Sequence, residues 1–107
     1  MNTVVNIHKE KCDIYIGRKK EGMHFGNPFS HIKNLRGTIY VQDREMAVLA
    51  FSLWLSQLGF NDVEPERREW INNNIETLRG KKLGCFCKPL SCHGDFYIQI
   101  LDATESF

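Results

Sequence analysis

The sequence predicts an α/β fold, a small sandwich with a largely parallel sheet and about three helices. The observation behind this prediction is the order of segments, which runs strand, strand, loop, helix, helix, strand, helix. A second observation is length, because 107 residues are enough for one hydrophobic core and no linker interrupts them. We therefore assign residues 1–107 to a single α/β domain.

Short segments rich in β-branched and aromatic residues predict four strands. Residues 4–7 and 13–16 are the first two and 83–87 the last, whereas residues 38–41 are either a short strand or an edge ribbon. Between them, residues 22–37 contain a Gly-Asn-Pro turn signal and predict a long loop. A loop of this length in a compact domain is often functional.

Three segments carry the three- and four-residue spacing of amphipathic helices. Asp43 is a favourable cap for a helix over residues 44–58, and a second helix is predicted over residues 65–78. Ser91 can cap a last helix over residues 92–101, directly after the final strand. The last helix therefore begins with the Cys-His-Gly-Asp block that carries most of the chemistry.

Composition excludes some classes of function. The chain has a formal net charge of +1, so we expect neither a strong nucleic-acid field nor a membrane surface as partner. It contains no apolar run of roughly 18 residues, the length needed to span a bilayer. The N-terminus lacks the apolar region of a signal peptide, so we expect a cytoplasmic protein with reduced thiols.

The densest group of reactive side chains lies in eleven residues near the C-terminus. It contains Cys85, Cys87, Cys92, His93 and Asp95. Thiolate and imidazole groups bind soft metals and act as nucleophiles or bases, so the group marks a candidate functional site. Its spacing leaves three interpretations open.

In the first interpretation, Cys85, Cys87, Cys92 and His93 bind a tetrahedral zinc ion as a Cys3His set. The spacing differs from the usual two-residue knuckle, and adjacent Cys92 and His93 have difficulty reaching one ion together. Cys12 is therefore an alternative fourth ligand.

In the second interpretation, Cys92 is a catalytic nucleophile at a helix N-terminus, and His93 or Asp95 transfers protons. In the third, the cysteines are small buried hydrophobic residues without chemistry, as Cys87 facing the core would be.

A second polar group surrounds the predicted loop. Its ligand-binding candidates are Gly17, Arg18, Gly26 and Asn27. Arg18 could pair with a phosphate or carboxylate, Asn27 could read a hydrogen-bonding edge, and a neighbouring phenylalanine could stack on a ring. The pattern lacks the Gly-Lys-Thr ending of a phosphate loop, and a purely structural turn is the alternative.

Five blocks of the chain together resemble a family known as domain of unknown function 4326, small proteins of bacteria and their phages. The blocks are I-Y-I-G-R at 14–18, F-G-N-P-F at 25–29, L-R-G-K at 78–81, C-F-C-K-P at 85–89 and C-H-G-D at 92–95. They cover nearly the whole chain. The visible departure from the family pattern is a phenylalanine in the fourth block where tryptophan is usual.

The resemblance implies that the glycine-arginine block, the glycine-asparagine-proline loop and the Cys-His-Asp block form one composite pocket. We expect this pocket to bind a nucleotide or nucleobase-like ligand, in an enzyme of nucleotide or nucleic-acid modification. The alternative is a non-enzymatic host- or defence-interaction protein whose Cys/His group is structural, with or without zinc.

Overall fold

The computed structural model describes residues 2–104, and in these residues three helices and two small parallel sheets form one α/β unit. The strands are β1 (Thr3–Asn6), β2 (Ile14–Tyr15), β3 (Phe29–Ser30), β4 (Ile39–Tyr40) and β5 (Lys82–Cys85). The main sheet has the order β1-β5-β2 and is entirely parallel. The predicted fold class is confirmed.

β5 lies at the centre of the main sheet because it has no polar face to expose. Leu83, Gly84 and Cys85 are all buried, as expected for a strand covered on both faces. Val4 and Ile14 pair with Leu83 from the two sides. The strand leading into the reactive block is therefore fixed by both neighbouring strands.

The helices are α1 (Arg44–Leu55), α2 (Pro65–Asn74), which a 3-10 turn (Ile75–Leu78) continues, and α3 (Gly94–Thr104). Asp43 caps α1 as predicted, since its carboxylate accepts a hydrogen bond from the Met46 amide at 2.8 Å.

Three predicted helix boundaries are wrong, and one of them is the end of α3, which lies at Thr104 instead of residue 101. α1 ends three residues early because Gln57 adopts a left-handed conformation with φ 62°, which leaves Leu58 77% exposed rather than in the buried stripe. α3 begins at Gly94, so Cys92 and His93 precede the helix instead of occupying its first turn. The backbone carbonyls of Cys92 and His93 nevertheless accept hydrogen bonds from amides at the start of α3. The Cys92 carbonyl accepts from the Asp95 amide at 3.1 Å.

The predicted loop over residues 22–37 contains a strand that the sequence did not indicate. β3 pairs with β4 in a parallel two-stranded ribbon, and β3 packs against α1. Two residues are too few to show a strand period, so this element was missed. Its position is set by Asn27, whose side chain donates to the Ala47 carbonyl of α1 and accepts from the Phe29 amide.

The core lies between the main sheet and the helices. Trp54, Tyr97, Phe51 and Ile71 are fully buried, which confirms that Trp54 is a core residue. Trp70 is partly buried and packs against the same cluster. Within residues 2–104, no helix combines the length and the apolar character that crossing a membrane would require.

Candidate functional site

A cavity of about 500 Å³ opens where β2 and β5 end. Residues that follow these strands line it together with β3, the start of α1 and the turn before α3. The carboxyl ends of parallel strands are where α/β proteins bind ligands. Its lining includes all of the predicted site residues except Gly26 and Asp95. The structure therefore brings the separate sequence blocks together at one place.

Three reduced thiols form one wall of the cavity. The sulfur atoms of Cys85 and Cys92 lie 3.5 Å apart, and Cys87 lines the cavity beside them. Cys85 and Cys92 are almost fully buried, whereas Cys87 is half-buried. The exposed turn over residues 86–91, with a cis Lys88–Pro89 peptide bond, joins the two buried cysteines.

Negative charge in this wall is best accommodated at Cys85. Hydrogen bonds from the Cys87 and Cys92 thiols lower the pKa of the Cys85 thiol, and the amides of Lys88 and Cys87 act in the same direction. The pKa values of Cys87 and Cys92 are raised, first because each donates its proton to Cys85 and then because both are buried. The predicted role of Cys92 as the nucleophile stays a prediction.

His93 lies in the cavity wall and is nearly enclosed by the core. Its Nε2 donates to the Ile16 carbonyl at 2.7 Å, and its ring packs edge-on against Phe51 and Tyr97. Burial lowers its pKa, so the ring is neutral and Nε2 carries the proton. Only Nδ1 is left to accept a proton or a metal, and the predicted role of His93 stays a prediction.

Asp95 lies behind the thiols rather than in the cavity. One carboxylate oxygen forms an ion pair with Lys88, and the other accepts a hydrogen bond from the Cys92 amide at 3.2 Å. These bonds tie the two ends of the turn over residues 88–95 together. They give Asp95 a positioning role, and proton transfer by this residue stays a prediction.

Arg18 and Asn27 also line the cavity, and the Arg18 guanidinium is bonded to the loop that carries Asn27. Arg18 donates to the carbonyls of Asn27, at 2.8 Å, and Gly37, at 2.6 Å. The Asn27 side chain is bound to backbone groups of α1 and β3, as described above. Gly26 packs beneath Arg18, where a Cβ would lie 2.9 Å from its Cγ. The loop is thus held rigidly around one guanidinium.

Gly17 makes room for an aromatic side chain. A Cβ on Gly17 would lie 2.1 Å from the Tyr15 hydroxyl, so Tyr15 can fold over this position only because the residue is glycine. Phe86 meets Tyr15 edge to face, with ring centroids 5.7 Å apart. Both rings line the cavity, and the Phe86 side chain is 53% exposed.

Arg44 is a cavity residue that the sequence reasoning missed. It is the first residue of α1, and it lines the cavity together with Cys87. Within residues 2–104 no carboxylate lies within ion-pair distance of it. No local pattern in the sequence indicates this position, because an arginine after a helix cap is ordinarily solvated.

Arg67 is a second missed residue, and it holds the loop that carries the site. It is buried, donates to the carbonyls of His24 and Gly26, and pairs with Glu64 at 2.8 Å. Its position four residues before Ile71 places it on the buried stripe of α2, which is the signal that could have identified it.

Cys12 lies away from the other thiols. Gly84 and Cys85 are successive residues of β5 and point to opposite faces of the sheet. A Cβ on Gly84 would lie 2.4 Å from the Cys12 sulfur, so Cys12 packs on the face opposite Cys85. Among the described residues, no three His, Cys, Asp or Glu side chains are grouped so as to hold a metal ion. Zinc binding stays a prediction.

Fold and site together define a small α/β protein with a thiol-lined cavity at the carboxyl ends of its parallel strands. The chain belongs to the family described as Domain of unknown function (DUF4326), whose model matches residues 4–103. This confirms the resemblance drawn from the sequence blocks.

A curated relative shows a shorter similarity. The chain is 52% identical over 29 residues to an uncharacterized 12.4 kDa protein in the nrdA-td intergenic region of Enterobacteria phage T4. The match covers 27% of this chain and 27% of the relative. No solved structure matches the chain significantly.

Proposed function

We propose that the cavity binds a nucleotide or nucleobase-like ligand and that the protein is an enzyme of nucleotide or nucleic-acid modification. The observation that carries the proposal is the meeting of arginines, aromatic rings and thiols in one cavity of about 500 Å³. Ligand pockets range from roughly 300 to 1,000 Å³, so this volume suits a mononucleotide. The proposal places the protein in the cytosol, where its thiols stay reduced.

The anionic part of the ligand is assigned to Arg44. Arg44 lines the cavity, and among residues 2–104 no carboxylate lies within ion-pair distance of it, so its donors can turn to a phosphate. Arg18 contributes a second positive charge, although two of its nitrogens already bind carbonyls. Two guanidinium groups in one cavity favour an anion over a neutral or cationic ligand.

The ring of the ligand is assigned to the aromatic side of the cavity. Tyr15 and Phe86 lie at its mouth, and Phe29 lies deeper in its wall. An aromatic face can stack on any base, and such stacking is worth about 1–3 kcal/mol per base. Because Phe86 is half exposed, its ring can turn onto a bound ligand.

The reactive group of the proposed enzyme is the thiol wall. Cys85 is the best-stabilised thiolate, with Cys87 and Cys92 as donors to it. Cys92 remains the alternative nucleophile, with His93 and Asp95 as the proton carriers inferred from the sequence. A thiolate beside a bound base or phosphate is a suitable nucleophile for covalent modification chemistry.

Titration calorimetry with nucleoside monophosphates and the matching nucleosides tests the binding proposal. We expect the monophosphates to bind more tightly than the nucleosides. Arg44→Met should weaken monophosphate binding about tenfold, the effect of losing one charge-assisted hydrogen bond.

Lys20→Met is the matched control, because it removes the same charge from an exposed residue outside the cavity. It should leave the affinity unchanged. Equal losses in Arg44→Met and Lys20→Met would assign the effect to net charge and overturn the Arg44 site. Absence of binding by the unmodified protein would overturn the proposal itself.

A second candidate is the non-enzymatic host- or defence-interaction protein. The burial of Cys85 and Cys92 favours it, because a structural thiol group needs no access to substrate. Cys92→Ala separates the candidates: a structural residue should unfold the chain when lost, whereas a catalytic one should leave folding intact. Circular dichroism and urea unfolding of the variant give the answer.

The zinc alternative is tested on the same preparation. Elemental analysis of freshly purified protein, with thiol titration before and after a chelator, shows whether a metal protects the cysteines. About one zinc per chain, with Cys85, Cys87 and Cys92 protected until chelation, would establish a metal site. Unprotected thiols in metal-free protein would exclude one.

A further inference from the structure

Two of the cysteines are placed for a bond that neither nucleotide binding nor zinc requires. The sulfur atoms of Cys85 and Cys92 are 3.5 Å apart, and a disulfide needs about 2.05 Å. The sulfurs therefore have to approach by only about 1.5 Å. Cys92 lies in the turn that precedes α3, outside any helix or strand.

A small oxidant can reach both cysteines of the pair, because both line the cavity although most of each residue is buried. Their sulfur atoms are in contact, so a sulfur that is oxidised has the other thiol directly beside it. Cys12 has neither property, because it packs on the other face of the sheet.

We propose that Cys85 and Cys92 form a redox-active pair, which a small peroxide converts into an intramolecular disulfide in the wall of the cavity. The inference does not depend on the nucleotide proposal, since it concerns the thiols themselves. It assigns a modification site whose reaction partner is hydrogen peroxide or another small peroxide.

The reaction has two balanced steps. The Cys85 thiolate attacks one peroxide oxygen, the O–O bond breaks, and hydroxide leaves, giving a sulfenic acid. The Cys92 thiol then attacks the Cys85 sulfur, the S–S bond forms, the S–O bond breaks, and water leaves with the Cys92 proton. In sum, two thiols are oxidised, one peroxide is reduced, and two waters form. A thiol reductant reverses the bond.

The test treats the purified full chain with hydrogen peroxide, followed by intact mass and non-reducing peptide mapping. We expect the loss of two hydrogens, a single bridge between residues 85 and 92, and full recovery with a reductant. Cys12→Ser and Cys87→Ser should still form the bridge, whereas Cys85→Ser and Cys92→Ser should not. The bridge is mapped first in the protein without substitutions. The test therefore stays valid even where one of the variants does not fold.

Other products would overturn the inference. These are a bridge that includes Cys12, sulfinic acid at Cys85 without a bridge, or thiols that stay unreacted. Because the readout is a covalent bond, its failure leaves calorimetric nucleotide binding untouched. Loss of nucleotide binding, conversely, says nothing against the bridge.

Discussion

Arg67 is the side chain on which the position of the site loop depends. One guanidinium holds the carbonyls of His24 and Gly26, pairs with Glu64, and lies over the Trp54 ring at 5.3 Å. Arg67→Met should lower the free energy of unfolding by about 3 kcal/mol, because it leaves two carbonyls unpaired in a buried region. Urea titration measures the change.

The neighbouring Arg68 provides the control for this prediction. Its guanidinium donates to Asn61 at the surface, so Arg68→Met should change the unfolding free energy by less than about 0.5 kcal/mol. If Arg67→Met cost no more than Arg68→Met, the buried guanidinium would be dispensable, and the rigid loop around Arg18 would need another explanation.

At the scale of elements, the start of α1 combines a helix cap with a positively charged side chain in the cavity wall. Asp43 accepts the Met46 amide hydrogen bond, and Arg44 follows it directly into the cavity wall. Asp43→Ala should lower the free energy of unfolding by about 1 kcal/mol, the usual cost of a lost N-cap. Thermal or urea unfolding checks the value.

Asp43→Asn is the matched variant for the cap, since it keeps an acceptor oxygen and removes only the charge. It should retain most of the stability that alanine loses. If asparagine and alanine were equally destabilising, the contribution of Asp43 would come from its charge near the helix dipole rather than from the hydrogen bond.

For the whole molecule, buried neutral histidines make stability depend on pH. Burial, Arg67 and Arg18 lower the pKa of His24 from 6.5 to about 4, and burial lowers the pKa of His93 as well. The unfolded chain therefore binds protons below pH 6.5 that the folded chain binds only near pH 4. The free energy of unfolding keeps its full value above the histidine pKa of the unfolded chain. It declines as the pH falls from there toward the histidine pKa of the folded chain.

We expect the free energy of unfolding to fall through this window, because the unfolded chain takes up protons that the folded chain does not yet bind. Urea titrations across the pH range measure it. His24→Asn keeps an acceptor for the Gly26 amide but does not titrate. In this variant the free energy of unfolding should depend less steeply on pH, and the dependence that remains should be that of His93. A constant stability across the window would contradict a neutral His24.

Sequence periodicity predicted the helices and strands that are long enough to show a period. The stripe through Phe51 and Trp54 predicted α1, and the strand ending at Cys85 was located within two residues. The end of α1 and the whole of β3 were not predicted, because a left-handed residue and a two-residue strand leave no periodic signal.

The sequence by itself also indicated the blocks that meet in the cavity, because they contain residue types that react or bind ligands and do not only pack. Only the tertiary structure decided which groups act on one another. Arg44 and Cys87 line one cavity although 43 positions of the chain separate them, Arg67 donates to Gly26 across 41, and the sulfur atoms of Cys85 and Cys92 lie 3.5 Å apart. Such contacts follow from how helices and strands pack, and that packing joins residues too distant in sequence for a local pattern to record.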